Sequence, residues 1–172
     1  MKQIDRKLLR SVVSILSLVV LFTLVASPAA AGEYANALKD VKGIKAVFDV
    51  SQGSPGVSNA IFWAVKNVYE DGTAKSLPEK PQIAIVFHGP AVKLISADRS
   101  GFKKEDYGEI DKFQEMIRQL KKDGVRLEVC LYAAKVMKVD PATILPEIDR
   151  VGNGFISVIG YQNQGYAAVR VP

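Results

Sequence analysis

The chain has one cysteine and one histidine in 172 residues, and each scarcity closes a line of function. With a single thiol, Cys130, no intrachain disulfide can form, so the fold rests on its core, and the thiol is buried, reactive or intermolecular. With a single imidazole, His88, there is no HxH, HExxH or CxxC spacing, and a His/Cys metal site would need further ligands. No metal and no cofactor are therefore expected. There is no G-x-S-x-G, which together with the lone histidine argues against a serine hydrolase. Single-sign charge is also scarce beyond the first residues. The formal net charge is +5, from 23 basic and 18 acidic residues, but residues 1–31 hold four of the bases and one of the acids. What remains, 19 against 17, is +2 and mixed in sign, with lysines that do not interleave with aromatics, so no nucleic-acid partner is expected. Internal repeats and low-complexity segments are missing after residue 31 as well.

One long apolar run is present, and it stands at the start. In "MKQIDRKLLRSVVSILSLVVLFTLVASPAAAGEY" a basic head (Lys2, Arg6, Lys7, Arg10) precedes an apolar stretch and the small residues Ala29-Ala30-Ala31. These are the three parts of a secretory signal peptide, with cleavage expected after Ala31 or Ala29. An uncleaved anchor is the rival reading, because no charge falls between Arg10 and Glu33 and roughly 20 apolar residues span a bilayer. Pro28 and the alanine run favour cleavage. No cysteine lies near that point, which argues against a lipid-anchored form. The expected organisation is thus 1–31 signal peptide and 32–172 one domain, periplasmic, meeting a membrane only during export. About 140 residues suffice for a real core.

Strand and helix patterns alternate through that domain. "IKAVFDV" reads as a strand and "SQGSPG" as a loop. A helix follows in "VSNAIFWAVKNVYEDG", with Ile61, Ala64, Val65 and Val68 as its apolar stripe, and "TAKSLPEKP" as a connector. "QIAIVFHG" is a continuous apolar run, the mark of a strand covered on both faces. "PAVKLIS" reads as a helical turn, and "ADRSGFKKEDYG" as loop. In "EIDKFQEMIRQLKKDG" the stripe Ile110, Phe113, Ile117 and Leu120 precedes Lys121, Lys122 and the terminator Gly124. "VRLEVC" is a third strand, "LYAAKVMKV" a helix and "DPATIL" a short helical turn. A strand near residues 148–151, a helix in "GFISVIGYQNQ" and a strand in "GYAAVRV" close the chain. Such alternation predicts an α/β domain with a mainly parallel sheet.

The candidate site lies where two of these strands end. His88, with Gly89 after it, and Cys130 both fall at carboxyl ends of predicted strands, beyond which ligands bind in open α/β sheets. Cys130 also opens a helix, whose first amides and positive dipole end face a sulfur anion, the form that attacks or carries sulfur. The bland reading is a small buried apolar residue, since free cysteine is often buried. His88 is the one side chain suited to proton exchange near neutrality, and its bland reading is a hydrogen-bonded loop histidine. Asp49 and Gln52 after the first strand reach the same edge, although turn-forming polarity explains them equally well. Trp63 and Phe62 flank the core stripe of their helix, as peripheral core or as an oligomer contact.

Three segments, "IAIVFHGPAVKLI", "GVRLEVCLYAAKVMKVDPATILP" and "VGNGFISVIGYQNQGYAAVRV", resemble the signature regions of DsrE/DsrF-like proteins, a YchN-like fold, and specifically its exported branch. The resemblance runs from about Ile44 to Val171. It implies a three-layer α/β/α domain with a five-stranded, mainly parallel sheet, and assembly into a homotrimer or homohexamer. It also implies a sulfur-trafficking role, in which a cysteine matching Cys130 carries persulfide sulfur between a donor and an acceptor protein. On this reading Cys130 and His88 are the catalytic candidates, and Gly89, Asp49 and Gln52 line a ligand site. The alternative is a non-catalytic small-ligand-binding or oligomeric interaction module of the same fold, and the sequence leaves open whether the chain is an enzyme.

Overall fold

The structure, a computed structural model, describes residues 33–172. The chain divides into two units, Met1–Lys39 and Asp40–Pro172. Of the first, the described residues 33–39 form turns, with the Leu38 N–H donating to the Tyr34 carbonyl. The expected signal peptide, residues 1–31, lies outside the described residues.

The second unit holds five strands, β1 Lys45–Val50, β2 Gln82–Phe87, β3 Arg126–Cys130, β4 Asp149–Val151 and β5 Ala167–Val171. Their order is β4-β3-β2-β1-β5, and every neighbouring pair is parallel. The helices are α1 Pro55–Glu70, α2 Gly72–Ser76, α3 Ala91–Leu94, α4 Tyr107–Lys122, α5 Leu131–Val136 and α6 Gly154–Asn163. Two 3₁₀ turns, Lys104–Asp106 and Pro141–Thr143, complete the set. Helices α1 and α4 cover one face of the sheet and α6 the other, which is the three-layer arrangement. Strand β2 is apolar along its length because it is covered on both faces: Ile83, Ile85 and Phe87 join one core, Ala84 and Val86 the other.

The larger core centres on three rings. Phe62 of α1 stacks on Phe87 of β2 at 5.9 Å between centroids, and meets Phe113 of α4 edge-on at 4.8 Å. This contact corrects the expected stripe of α1. The buried positions are Pro55, Ser58, Phe62 and Val65, with Ile61, Val68 and Tyr69 partly buried, while Ala64 is exposed. A large ring that finds two others, one on the sheet and one on α4, outweighs a methyl group, so the helix is rotated to bury Phe62. Its neighbour Trp63 is left 72% exposed. The stripe of α4 is as expected, with Ile110, Phe113, Ile117 and Leu120 buried. The segment read as a connector after α1 begins with α2, because the Asp71 carboxylate accepts from the N–H groups of Thr73 and Ala74 at 2.8 and 3.2 Å.

Three helices end in the same way. After α4, α5 and α6 the chain turns through a residue of positive φ, Gly124 (88°), Lys138 (57°) and Gly165 (87°). In each, paired N–H groups return to the last carbonyls, for example Val125 to Leu120 and Gly124 to Lys121. Lysine is the odd member, since a side chain with a Cβ in that region costs about 1 kcal/mol relative to glycine. Lys138→Gly is therefore expected to stabilise the protein by up to about 1 kcal/mol. A higher urea midpoint at unchanged slope would show it.

Candidate functional site

Strand alternation places one face of three neighbouring strands in a common row. On the α6 side these are Val47 and Asp49 of β1, Ala84 and Val86 of β2, and Glu128 and Cys130 of β3, since Val47, Ala84 and Val86 pack with α6 and Glu128 bonds to it. His88 continues β2 past its end, its N–H donating to the Val50 carbonyl at 2.9 Å. Because Phe87 is level with Val129, His88 is level with Cys130, one strand step of about 4.8 Å away along the sheet.

The His88 Nε2 and the Asp49 Oδ1 are in close contact, an ion pair only when the imidazole is protonated, and outside it neither atom has a hydrogen-bond partner among the described residues. The imidazole meets the Phe155 ring edge-on, with centroids 5.6 Å apart. Gly89, at φ 52°, turns the chain away immediately after. At this φ a side chain would be strained, and the turn lets α3 start without covering His88.

Cys130 is 4% exposed and caps α5, where its Sγ accepts from the Ala133 N–H at 3.4 Å. Its Cβ abuts α6 at Gly154. A Cβ added there would lie 3.0 Å from both Cys130 Cβ and Val86 Cγ1, so any larger residue would have to push its neighbours aside for this helix to start so close to the thiol.

His88, Gly89 and Cys130 line a cleft of about 290 Å³. One wall is Tyr132, Ala133, Val136 and Met137 of α5 and its end; the other is Asn153 and Phe155 at the start of α6. The sequence candidates therefore divide. His88, Gly89 and Cys130 are brought together, and Asp49 joins through His88. Gln52 is not among the lining residues: its amide donates to the Pro172 carbonyl at 3.1 Å and its Oε1 accepts from the Ser54 N–H at 2.9 Å. The wall residues were not singled out by sequence reasoning. A signal for them exists in "NGF", where Asn153 caps α6 through the Phe155 N–H at 3.0 Å and so fixes a ring at the helix start.

Below the cleft, on the same face, the Tyr161 hydroxyl donates to Glu128 Oε1 at 2.7 Å. Burial, reinforced by the Glu128 carboxylate, pushes the Tyr161 phenol above its ordinary value. A phenol raised in the folded state contributes stability that is complete below the unfolded pKa, near 10, and is lost as pH rises toward the folded value. Tyr161→Phe is expected to cost about 2 kcal/mol at neutral pH, since it strands the carboxylate. It should also flatten the loss of stability above about pH 10. Urea titrations at pH 7 and pH 11 check both effects.

A family model described as the DsrE/DsrF-like family matches residues 20–171. The chain belongs to this family. An uncharacterized protein of Aquifex aeolicus (strain VF5) is 26% identical over 133 residues, which is 73% of this chain and 55% of that one. The chain thus spans about half the length of the curated relative it matches. Among solved structures, MTH1491 from Methanobacterium thermoautotrophicum, a protein of unknown function, is similar with a TM-score of 0.58. That match has 19% identity and covers 74% of this chain and 98% of the other. The ychN protein from E. coli matches at TM-score 0.49 and 14% identity, over 74% and 97% of the two chains. The DsrE-like fold expected from sequence is the one observed, and the cleft described here lies at the carboxyl edge of its sheet.

Proposed function

We propose that this DsrE-like protein is an exported carrier of sulfane sulfur, with Cys130 as the carrying thiol. The observation that supports this most is the placement of Cys130 in one cleft with the His88–Asp49 pair. In the loading step the Cys130 sulfur gives its proton to His88 and attacks the outer sulfur of a persulfide R–S–SH. The Cys130–S–SH bond forms as the R–S bond to that sulfur breaks, and R–S⁻ leaves with the proton returned by His88. No oxidant or reductant enters, because the sulfane sulfur changes partner at constant oxidation level. Intact-mass measurement after incubation with a persulfide donor tests it: the wild-type chain gains one sulfur atom, Cys130→Ser none. A wild-type chain that gains none removes the carrier role. The burial of the thiol supports a second reading, a ligand-binding module without covalent chemistry, in which the cleft binds but Cys130 stays unmodified.

Export and self-association belong to the same proposal. Val57, Ala60, Trp63 and Ala64 lie together on the exposed side of α1, a small apolar surface suited to another copy of the chain. Protein recovered from the exported fraction is expected to begin at or near Gly32 by amino-terminal sequencing, and to scatter light as a trimer or hexamer. An intact Met1 chain in the membrane fraction, or a monomer at micromolar concentration, would refute these expectations in turn.

A further inference from the structure

The cleft has a chemical character that the carrier role alone does not dictate. Among its lining residues there is no lysine and no arginine, and its one basic group, His88, is already matched to Asp49. Asn153 spends its side-chain oxygen on the Phe155 N–H. The walls are the side chains of Tyr132, Val136, Met137 and Phe155, and three of these, Tyr132, Val136 and Phe155, are more than half exposed at the mouth. An anion entering such a place would shed water and find helix-start amides but no free side-chain cation in return, whereas an apolar group would cover surface that is otherwise wet.

A tripeptide thiol with two carboxylates brings charge that these walls do not match.

We infer that the cleft takes a small uncharged sulfur compound with an apolar body, a thiol or its persulfide, its sulfur end at Cys130 and its body between α5 and the start of α6. This rests on the carrier reading for the sulfur end and on the cleft walls for the body. The loading step is the one balanced above, with R an apolar group.

The test compares three donors on the full chain at equal concentration: benzyl persulfide, glutathione persulfide and thiosulfate. Each loading rate, read by intact mass, is divided by the rate with a free cysteine peptide. Benzyl persulfide is expected to load Cys130 at least about tenfold faster than either anion, one decade being the smallest preference that a methylene-scale contact gives. Val136→Lys, at an exposed wall position, is expected to slow benzyl persulfide and speed the anions. In parallel, benzyl mercaptan is titrated into Cys130→Ser and followed by ligand-observed NMR. Equal normalised rates, or a faster anionic donor, overturn the inference. Loading only from glutathione persulfide or thiosulfate, with no benzyl mercaptan binding, overturns it too and leaves the carrier role standing. Benzyl mercaptan binding without loading from any donor defeats the carrier role and upholds the ligand class.

Discussion

Phe62→Ala is expected to lower the free energy of unfolding by about 3–5 kcal/mol, a large part of the ~5–15 kcal/mol that holds a domain of this size. Its ring is fully buried and touches one ring from the sheet and one from α4, so truncation leaves a cavity that three rigid elements cannot close. Trp63→Ala, one residue along, is the control. That side chain is 72% exposed, and its loss should stay within about 0.5 kcal/mol in the monomer. Urea unfolding of the two variants side by side separates the cases. Similar losses would mean that α1 is rotated relative to the placement described here.

His88→Ala is expected to slow sulfur loading of Cys130 by about a hundredfold, the lower end of what a positioned proton acceptor contributes. Asp49→Asn should slow it less, because the carboxylate acts on the thiol only through the imidazole it contacts. The informative quantity is the double variant. If Asp49 works by positioning His88, adding Asp49→Asn to His88→Ala costs nothing further in rate. Fully additive losses would separate the two residues. Circular dichroism of each variant guards against unfolding as the cause.

The alternation of strands and helices was readable because each apolar segment has the period of its element, and the run in β2 announced a strand covered twice. The order of the strands was not, since parallel strands are joined through helices, and nothing local tells whether β1 or β3 lies beside β2. Both do, which is why Asp49 and Cys130 flank His88 from opposite sides. The stripe of α1 was misplaced for a similar reason: Ala64 fits the helical period as well as Phe62 does, and only rings contributed by Phe87 and Phe113 decide between them. At the site, His88 and Cys130 were legible from strand ends. The cleft walls were not, because Val136 and Phe155 look like core in sequence and are exposed in space. Gln52 is polar and stands at the right edge, yet its amide reaches toward the chain end at Pro172 and not toward the thiol.

Strand β1 lies inside the sheet, and one of its two partners, β5, follows the other four described strands in sequence. Ala46 pairs with Ala167 and Val50 with Val171, and the Ser51 N–H still reaches the Val171 carbonyl at 2.8 Å, 120 residues away. Contacts this distant in sequence close late and slow the folding of the whole domain. Until Ala167–Val171 is free to dock, β1 offers a row of unpaired amides and carbonyls to whatever strand is near. That delay leaves the nascent domain dependent on protection from its own copies, because an open parallel edge recruits strands without regard to which molecule supplies them.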